Sequence, residues 1–485
     1  MYTDQLRSIA VQTDPQPFPR LKGHTKIELF DQKSGRRETF ESDNMVTDAV
    51  RTLLQPLGPW ADMKTLLFDQ MPYAQTLFGG LVLFDTAIPE AADRFFPPAS
   101  AQAVGYGAYG ETNGTGYLRR GSFNANESAW DGVNHRMTYV YDFTTAQANG
   151  TIAAACLTHK MGGFSGWGDP SIPLDGATSY SRVMDSTMPY TYLHGGCPVQ
   201  KAMIAFDSAN DCFYAAVPAS TTTLSIRRYR GYARAVPGLS VDAQGSDELF
   251  AREALLDSRD VALPAALPSA SRAPCWMEAA TKTLWLSTTI DKVAAGASWH
   301  LLAVSLADPA NPAVTDYPLT NNTGKTLTPC FCVTGGYALV QADYPGYSLF
   351  KIRVDAPTDV AEIAGPTTTI YPARMAGERV LYALSYSTSY PDRQYLVNPV
   401  KNTLENTELG GVYCYPVLDL NASGNTNRFL PFLDNPLRGF CLNAGGPHFT
   451  LSSPRNYLAT VNNLATPVTK TADKTMKVTY LLQEA

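Results

Sequence analysis

The sequence predicts an all-β protein with minor helix, and three observations carry that expectation. Apolar residues recur in short alternating or continuous runs bounded by turn residues, the pattern of strands rather than of helical stripes. The composition is rich in Tyr (26) and Phe (20), with 36 Gly and 34 Pro for turns, and only 17% of residues are charged. From about residue 190 onward, the same strand–turn–strand unit returns at a nearly constant interval. We therefore expect a β-rich domain over 1–165, completed by 455–485, and a propeller-like β domain over 190–454 with about five to seven blades.

Residues 1–23 are polar and punctuated by proline, which reads as an extended arm. Thr25–Phe30 (TKIELF) alternates, Asp31–Gly35 turns, and Arg36–Phe40 returns, which makes a hairpin. Asn44 stands where an N-cap would start a short helix. Val46, Ala49, Val50, Leu53 and Leu54 would share its apolar face, and Pro56 would stop it. At the far end, Thr475–Leu482 (TMKVTYLL) alternates apolar and polar residues. A strand at the end of so long a chain stays ordered only when a sheet built elsewhere holds it. It is expected to return to the N-terminal domain.

The repeating units read as Lys201–Phe206, Cys212–Val217 and Thr223–Arg227, then Pro274–Met277, Thr283–Ser287 and His300–Leu306. A third is Thr328–Val333, Tyr337–Val340 and Ser348–Val354, and a fourth Ile370–Ala373, Val380–Leu384 and Gln394–Val397. A fifth spans Val412–Val417 and Phe429–Phe432. Each is a strand, a tight turn, a second strand, a polar loop and a third strand. Second strands follow one another at about fifty residues, the period of a propeller blade. The first step is longer, and Tyr232–Ser271 reads as an excursion within it. No WD or kelch signature is present, so the period also fits a sandwich of stacked hairpins. A closed ring would bring its two ends together and make insertion into another domain easy.

A net charge of −6 gives no support to general nucleic-acid binding. The N-terminus lacks an apolar signal region, and the run Phe78–Phe84 is too short to span a bilayer, so synthesis in a reducing cytoplasm is expected. The eight cysteines are scattered without a C-x-x-C pair and read as buried free thiols, Cys330 and Cys332 included. No catalytic, cofactor or metal set emerges. Asp207 and Asp211 flank a hairpin turn. Asp419–Gly424 imitates the first half of a calcium loop, but Leu430 stands where the bidentate Glu belongs. His24, His135, His159, His194, His300 and His448 share no ligand spacing. Arg227–Arg234 (RRYRGYAR) interleaves basic and aromatic residues but follows a strand directly, and Gly105–Gly110 (GYGAYG) reads as a flexible aromatic loop. Tyr344, Tyr347 and Tyr390 lie in polar loops between strands and are candidate glycan contacts, because sugar C–H faces stack on aromatic rings.

Three blocks carry a family resemblance. They are Phe40–Arg51 (FESDNMVTDAVR), Arg120–His159 (with RGSFNANES and TYVYDFTTAQANGTIAAACLTH), and Pro454–Ala485 (PRNYLATVNNLATPVTKTADKTMKVTYLLQEA). Together they resemble tail structural proteins of bacteriophages or phage tail-like particles, of the fibre or baseplate-associated type. The resemblance implies a virion structural protein, not an enzyme, assembled in the host bacterial cytoplasm in multiple copies and located in the tail. Its partners would be other tail proteins, copies of itself, and a bacterial surface glycan or protein receptor. It implies neither cofactor nor nucleic-acid contact nor membrane insertion. Two rival readings are a tail-borne polysaccharide depolymerase and a cellular β-propeller interaction scaffold. The middle of the chain, 190–450, carries no motif that decides among them.

Overall fold

The computed structural model describes residues 20–54, 75, 77–112, 118–160, 162, 202–207, 209–210, 212–230, 255–270, 272–363, 365–366, 368–384, 394–406, 415–416, 419–420, 428–437, 439–442, 449–452 and 457–485. Among them the chain is all-β with minor helix, and it divides into two compact units. The first comprises 1–95, 101–163 and 458–485, and the second 96–100 and 164–457.

The first unit is organised by strands from both ends of the chain. Leu21–Asp31 and Arg37–Val46 form the expected hairpin. Its turn is tied by the Asp31 carboxylate, which accepts the N–H groups of Lys33 (2.9 Å) and Ser34 (2.8 Å), and Gly35 takes the left-handed conformation (φ 69). Lys474–Glu484 pairs antiparallel along the whole of Leu21–Asp31, from Leu21 opposite Glu484 to Asp31 opposite Lys474. Its other edge pairs with Arg136–Phe143. The last strand is therefore interior to a seven-stranded sheet. Thr25, Ile27 and Leu29 of the first strand and Met476, Val478, Tyr480 and Leu482 of the last are all buried, as a period of two on one face demands.

A second sheet of four strands runs in the order Asn463–Lys470, Gly150–Thr158, Gly80–Phe84, Ala103–Gly107. The glycine-rich stretch expected to be a loop begins inside this edge strand. Its glycines make room for neighbouring side chains. A Cβ on Gly107 would sit 2.5 Å from Cδ1 of Tyr141, and one on Gly105 would press on Ala148 and, less closely, on Phe143. The Tyr141 hydroxyl donates to the Gly79 carbonyl.

Leu458–Asn462 stitches the two sheets together. Thr460–Val461 pairs with Met45–Val46, while the Ala459 N–H donates to Leu157 O (2.9 Å) and the Ala155 N–H to Asn462 O (2.9 Å). Asn44 is not an N-cap. It lies in the second strand of the hairpin and donates its amide to the Tyr480 hydroxyl, which in turn donates to Thr460 Oγ1 (2.5 Å). The helix Ala49–Leu54 is started instead by Thr47, whose Oγ1 accepts the Ala49 N–H (3.2 Å).

Among the described residues the second unit contains five sheets in chain order, and in the first four each strand hydrogen-bonds to the next in sequence. The first is Met203–Asp207, Cys212–Ser220, Thr223–Arg230 and Leu255–Ala262. The second is Ala273–Glu278, Thr283–Ser287, Ser298–Ser305 and Ala313–Thr320. The third is Leu327–Thr334, Tyr337–Ala342, Leu349–Arg353 and Val360–Ile363. The fourth is Ile370–Ala376, Arg379–Leu384, Gln394–Asn398 and Thr403–Asn406. In the fifth, Tyr415–Pro416 runs parallel to Arg428–Pro431, followed by Gly439–Leu442 and Phe449–Ser452.

Most of the sheets meet along their first strands. First strands of the second and third sheets lie side by side, as do those of the third and fourth. The fourth sheet's first strand meets Tyr415–Pro416, and Arg428–Pro431 meets the first strand of the first sheet, with the Phe206 and Phe432 rings 4.6 Å apart. Asp419–Leu420 adds a fifth strand to the second sheet beside Ala273–Pro274. Each of the first four sheets holds a fourth strand that apolar patterning did not reveal. Those of the first and second bury one residue each, so no continuous apolar run is needed there. The stretch expected to be an excursion supplies one of them, Leu255–Ala262.

Leu284, Leu286, Leu339 and Tyr382 in the second strands are buried, and the Leu381 side chain lies outside the described residues. Leu339→Ala should lower unfolding free energy by about 2–5 kcal/mol in a urea titration. A loss below about 0.5 kcal/mol would contradict this packing.

Lys470 ends the edge strand of the four-stranded sheet and is 1% exposed, its Nζ donating to Asn149 Oδ1 (2.8 Å) and Thr145 O (3.4 Å). Loss of hydration pulls its pKa down to about 8, with Asp473 opposing. Between about pH 8 and 10.5 the unfolded chain then binds more protons than the folded one, so this residue makes stability rise with pH. Relative to Lys470→Met, the wild-type protein should gain on the order of 1 kcal/mol per pH unit in that window, measured by chemical denaturation. A pH-independent difference between the two would exclude a depressed amine.

Candidate functional site

Within the second unit, a cleft of about 550 Å³ opens where inner strands of four sheets end. Turns joining first to second strands contribute Glu278–Thr281, Thr334 with Gly335, and Gly377 with Glu378. The connection from Arg428–Pro431 to Gly439–Leu442 contributes Phe432–Asp434. Tight turns suit this position because each reverses the chain within a few residues. Gly335 and Gly377 take φ of 56 and 62, where a side chain would be strained. At Gly377 a Cβ would also lie 2.7 Å from Cβ of Phe96.

Phe96 belongs to a strap, 96–100, held by the fourth sheet. Ala99 donates its N–H to Glu378 Oε2 (3.0 Å), and its carbonyl accepts from Asn398 Nδ2 (2.9 Å). Lys401 Nζ donates to Ser100 O (2.7 Å).

The walls are largely apolar: Phe96, Trp276, Met277, Met375, Phe429 and Phe432 all reach the cleft. Trp276 donates its indole N–H to Val333 O (3.0 Å), which fixes the ring against the first strand of the third sheet. Glu278 ends the first strand of the second sheet. Its Oε2 accepts the Trp285 indole N–H (3.1 Å) and the Thr281 hydroxyl (2.8 Å), and the residue is 7% exposed. Glu278, Glu378 and Asp434 are the acidic groups of the lining, and no described lining residue is basic.

Tyr344 and Tyr347 stand in the loop between Tyr337–Ala342 and Leu349–Arg353, at the other end of the third sheet from its cleft-lining turn. The structure brings them together, ring centroids 5.9 Å apart and edge-on at 68°. Tyr344 is 74% exposed and Tyr347 half-buried. The loop is braced from below: Gln341 Nε2 donates to Tyr347 O (3.0 Å) and to Thr368 O (3.0 Å). Lys292 pairs with Asp343 and holds that carboxyl below the usual range. Tyr390 lies outside the described residues.

The remaining sequence features resolve into structural roles. Asp207 ties its turn by accepting from the Asn210 backbone (3.1 Å) and side chain (2.8 Å), and Asp211 lies outside the described residues. Arg228 pairs with Asp257 on the adjacent strand, and Tyr229 is buried. His24, His135 and His300 each contact a carboxylate: Asp43, Glu484 and Asp316. Cys156, Cys212, Cys275, Cys330 and Cys332 are free thiols, all buried except Cys330, which is half-buried on the strand Leu327–Thr334. Burial pushes the Cys156 thiol up to about 12. Among the described residues, no three His, Cys, Asp or Glu side chains gather to hold a metal ion, and no helix is long and apolar enough to cross a membrane. The half calcium loop falls mostly outside the described residues.

Sequence reasoning missed the cleft. Ala273–Glu278 (APCWME) reads as one more apolar strand, and the available signal was its closing carboxylate, which is buried with the rest. No protein-family model and no curated protein matches the chain.

Proposed function

We propose that this chain is a non-catalytic structural protein of a phage tail or phage tail-like particle, present in several copies at the tip, fibre or baseplate. One observation carries the reading: the three tail-like blocks meet in one folded unit. Met45–Val46 of the first block pairs with Thr460–Val461 of the last. Arg136–Phe143 and Gly150–Thr158 of the middle block pair with Lys474–Glu484 and Asn463–Lys470. A resemblance scattered by chance along the sequence has no reason to converge on one pair of sheets.

In this reading the first unit attaches the protein to the particle, and the second unit presents recognition loops on a rigid scaffold. Several weak contacts from neighbouring copies then add through effective concentration. The Tyr344–Tyr347 pair supplies an exposed aromatic face suited to a surface sugar.

Electron micrographs of whole particles, labelled with an antibody to this chain, should show label at repeated positions on the tail. Absence from purified particles would refute the assignment. Release of new reducing ends from a bacterial surface glycan by the purified protein would favour the depolymerase instead. A Tyr344→Ala, Tyr347→Ala double variant should reduce adsorption to bacteria while each change shifts unfolding free energy by less than about 0.5 kcal/mol. Unchanged adsorption removes the pair from the receptor site.

A further inference from the structure

We infer that the cleft between the sheet turns of the second unit binds an organic cation, an ammonium or guanidinium group carried on an apolar body. This rests on the cleft alone and is independent of any role in a tail.

Removing a carboxylate from water is costly unless a positive charge accompanies it. Glu278 is 7% exposed, and its two side-chain hydrogen bonds, from Trp285 and Thr281, both fall on Oε2. Among the described residues no lysine, arginine or histidine pairs with it. The fold thus commits one carboxylate oxygen and leaves the other without a donor among the described residues, at the wall of an open cleft where a cation can meet it. The rest of the lining agrees. Glu378 adds a second carboxylate, and no described lining residue is basic.

The apolar walls specify the body of the ligand. Trp276, Phe429 and Phe432 offer ring surface, which favours cations over neutral groups of the same shape. A simple metal ion would find too few oxygens among the described residues. A bare sugar would find too few hydrogen-bond partners in so apolar a space. The volume of about 550 Å³ admits a phenylalkyl-sized body with its charged head.

The test uses three probes with one body: 3-phenylpropylammonium, 3-phenylpropanol and 3-phenylpropanoate. Each is titrated into the full chain and followed by calorimetry and tryptophan fluorescence. The ammonium should bind saturably, the alcohol roughly tenfold more weakly or worse, and the carboxylate not at all. Glu278→Gln keeps an oxygen to accept from Trp285 and Thr281 but removes the charge. It should weaken ammonium binding by roughly tenfold or more and leave the alcohol unchanged. If that variant fails to fold, Glu378→Gln on the exposed rim, which keeps an oxygen for the Ala99 N–H, should weaken the ammonium by about threefold, and unchanged affinity there would count against the inference. Equal affinity for ammonium and alcohol, no saturable ammonium binding, or full ammonium affinity in folded Glu278→Gln would each overturn it. An acetyl-Phe-Lys-amide arm identifies the source. Binding tighter than that of the free amine points to a protein segment, and weaker binding to a small molecule, with the cation inference upheld in both cases.

Discussion

Everything in the first unit depends on one strand pairing, that of Lys474–Glu484 between Leu21–Asp31 and Arg136–Phe143. An interior strand saturates the hydrogen-bonding edges of both neighbours, so its removal would leave two open edges at once. The pairing also spans nearly the whole chain. Loop-closure entropy grows only with the logarithm of loop length, so thermodynamics tolerates a large insertion between paired strands. Kinetics tolerates it less, since such contacts form only after the intervening chain has become compact. The second unit meets that need by folding much of the intervening chain into sheets whose strands mainly pair with their sequence neighbours.

With one face buried, hydrophobic alternation excludes a slip of one residue but not a slip of two. Buried polar contacts distinguish those. The Tyr480 hydroxyl joins Asn44 and Thr460, and Ser42 Oγ donates to Asn462 Oδ1 (2.6 Å) while the Asn462 amide returns a bond to Ser42 O (3.1 Å). A slip of two residues would keep Tyr480 on the buried face but carry its hydroxyl away from Asn44 and Thr460 and strand those partners in an apolar interior. Thr460 Oγ1 also accepts the Leu157 N–H (2.9 Å), so the same contact that fixes register in one sheet positions the other.

How much of this was legible in the sequence follows from where each signal originates. The hairpin and the last strand were readable because one face is buried and the other is not, which writes a period of two into the residues. The second strands of the sheets were readable as apolar runs because both faces are covered. Outer strands such as Ala313–Thr320 and Val360–Ile363 were not, since little of either strand is buried. Gly105 and Gly107 misled for a different reason: their conformational freedom is unused, and what matters is the absence of a Cβ beside Ala148 and Tyr141. The cleft was invisible because its residues come from the ends of four sheets and share no spacing along the chain. The exposed Tyr344 and Tyr347 could be named in advance, but their ring contact could not.

The antiparallel order of the sheets separates two kinds of surface. The turns that line the cleft gather at one end, where inner strands crowd together and the chain must reverse quickly. Short turns have little room to vary, so a site built there has fixed geometry, as the bonds from Trp285 and Thr281 to Glu278 illustrate. In an antiparallel sheet the connection between second and third strands falls at the opposite end, and there it is free to lengthen. The loop bearing Tyr344 and Tyr347 is one of these, braced at its base by Gln341. The fold supplies that division through strand order alone, without a further domain.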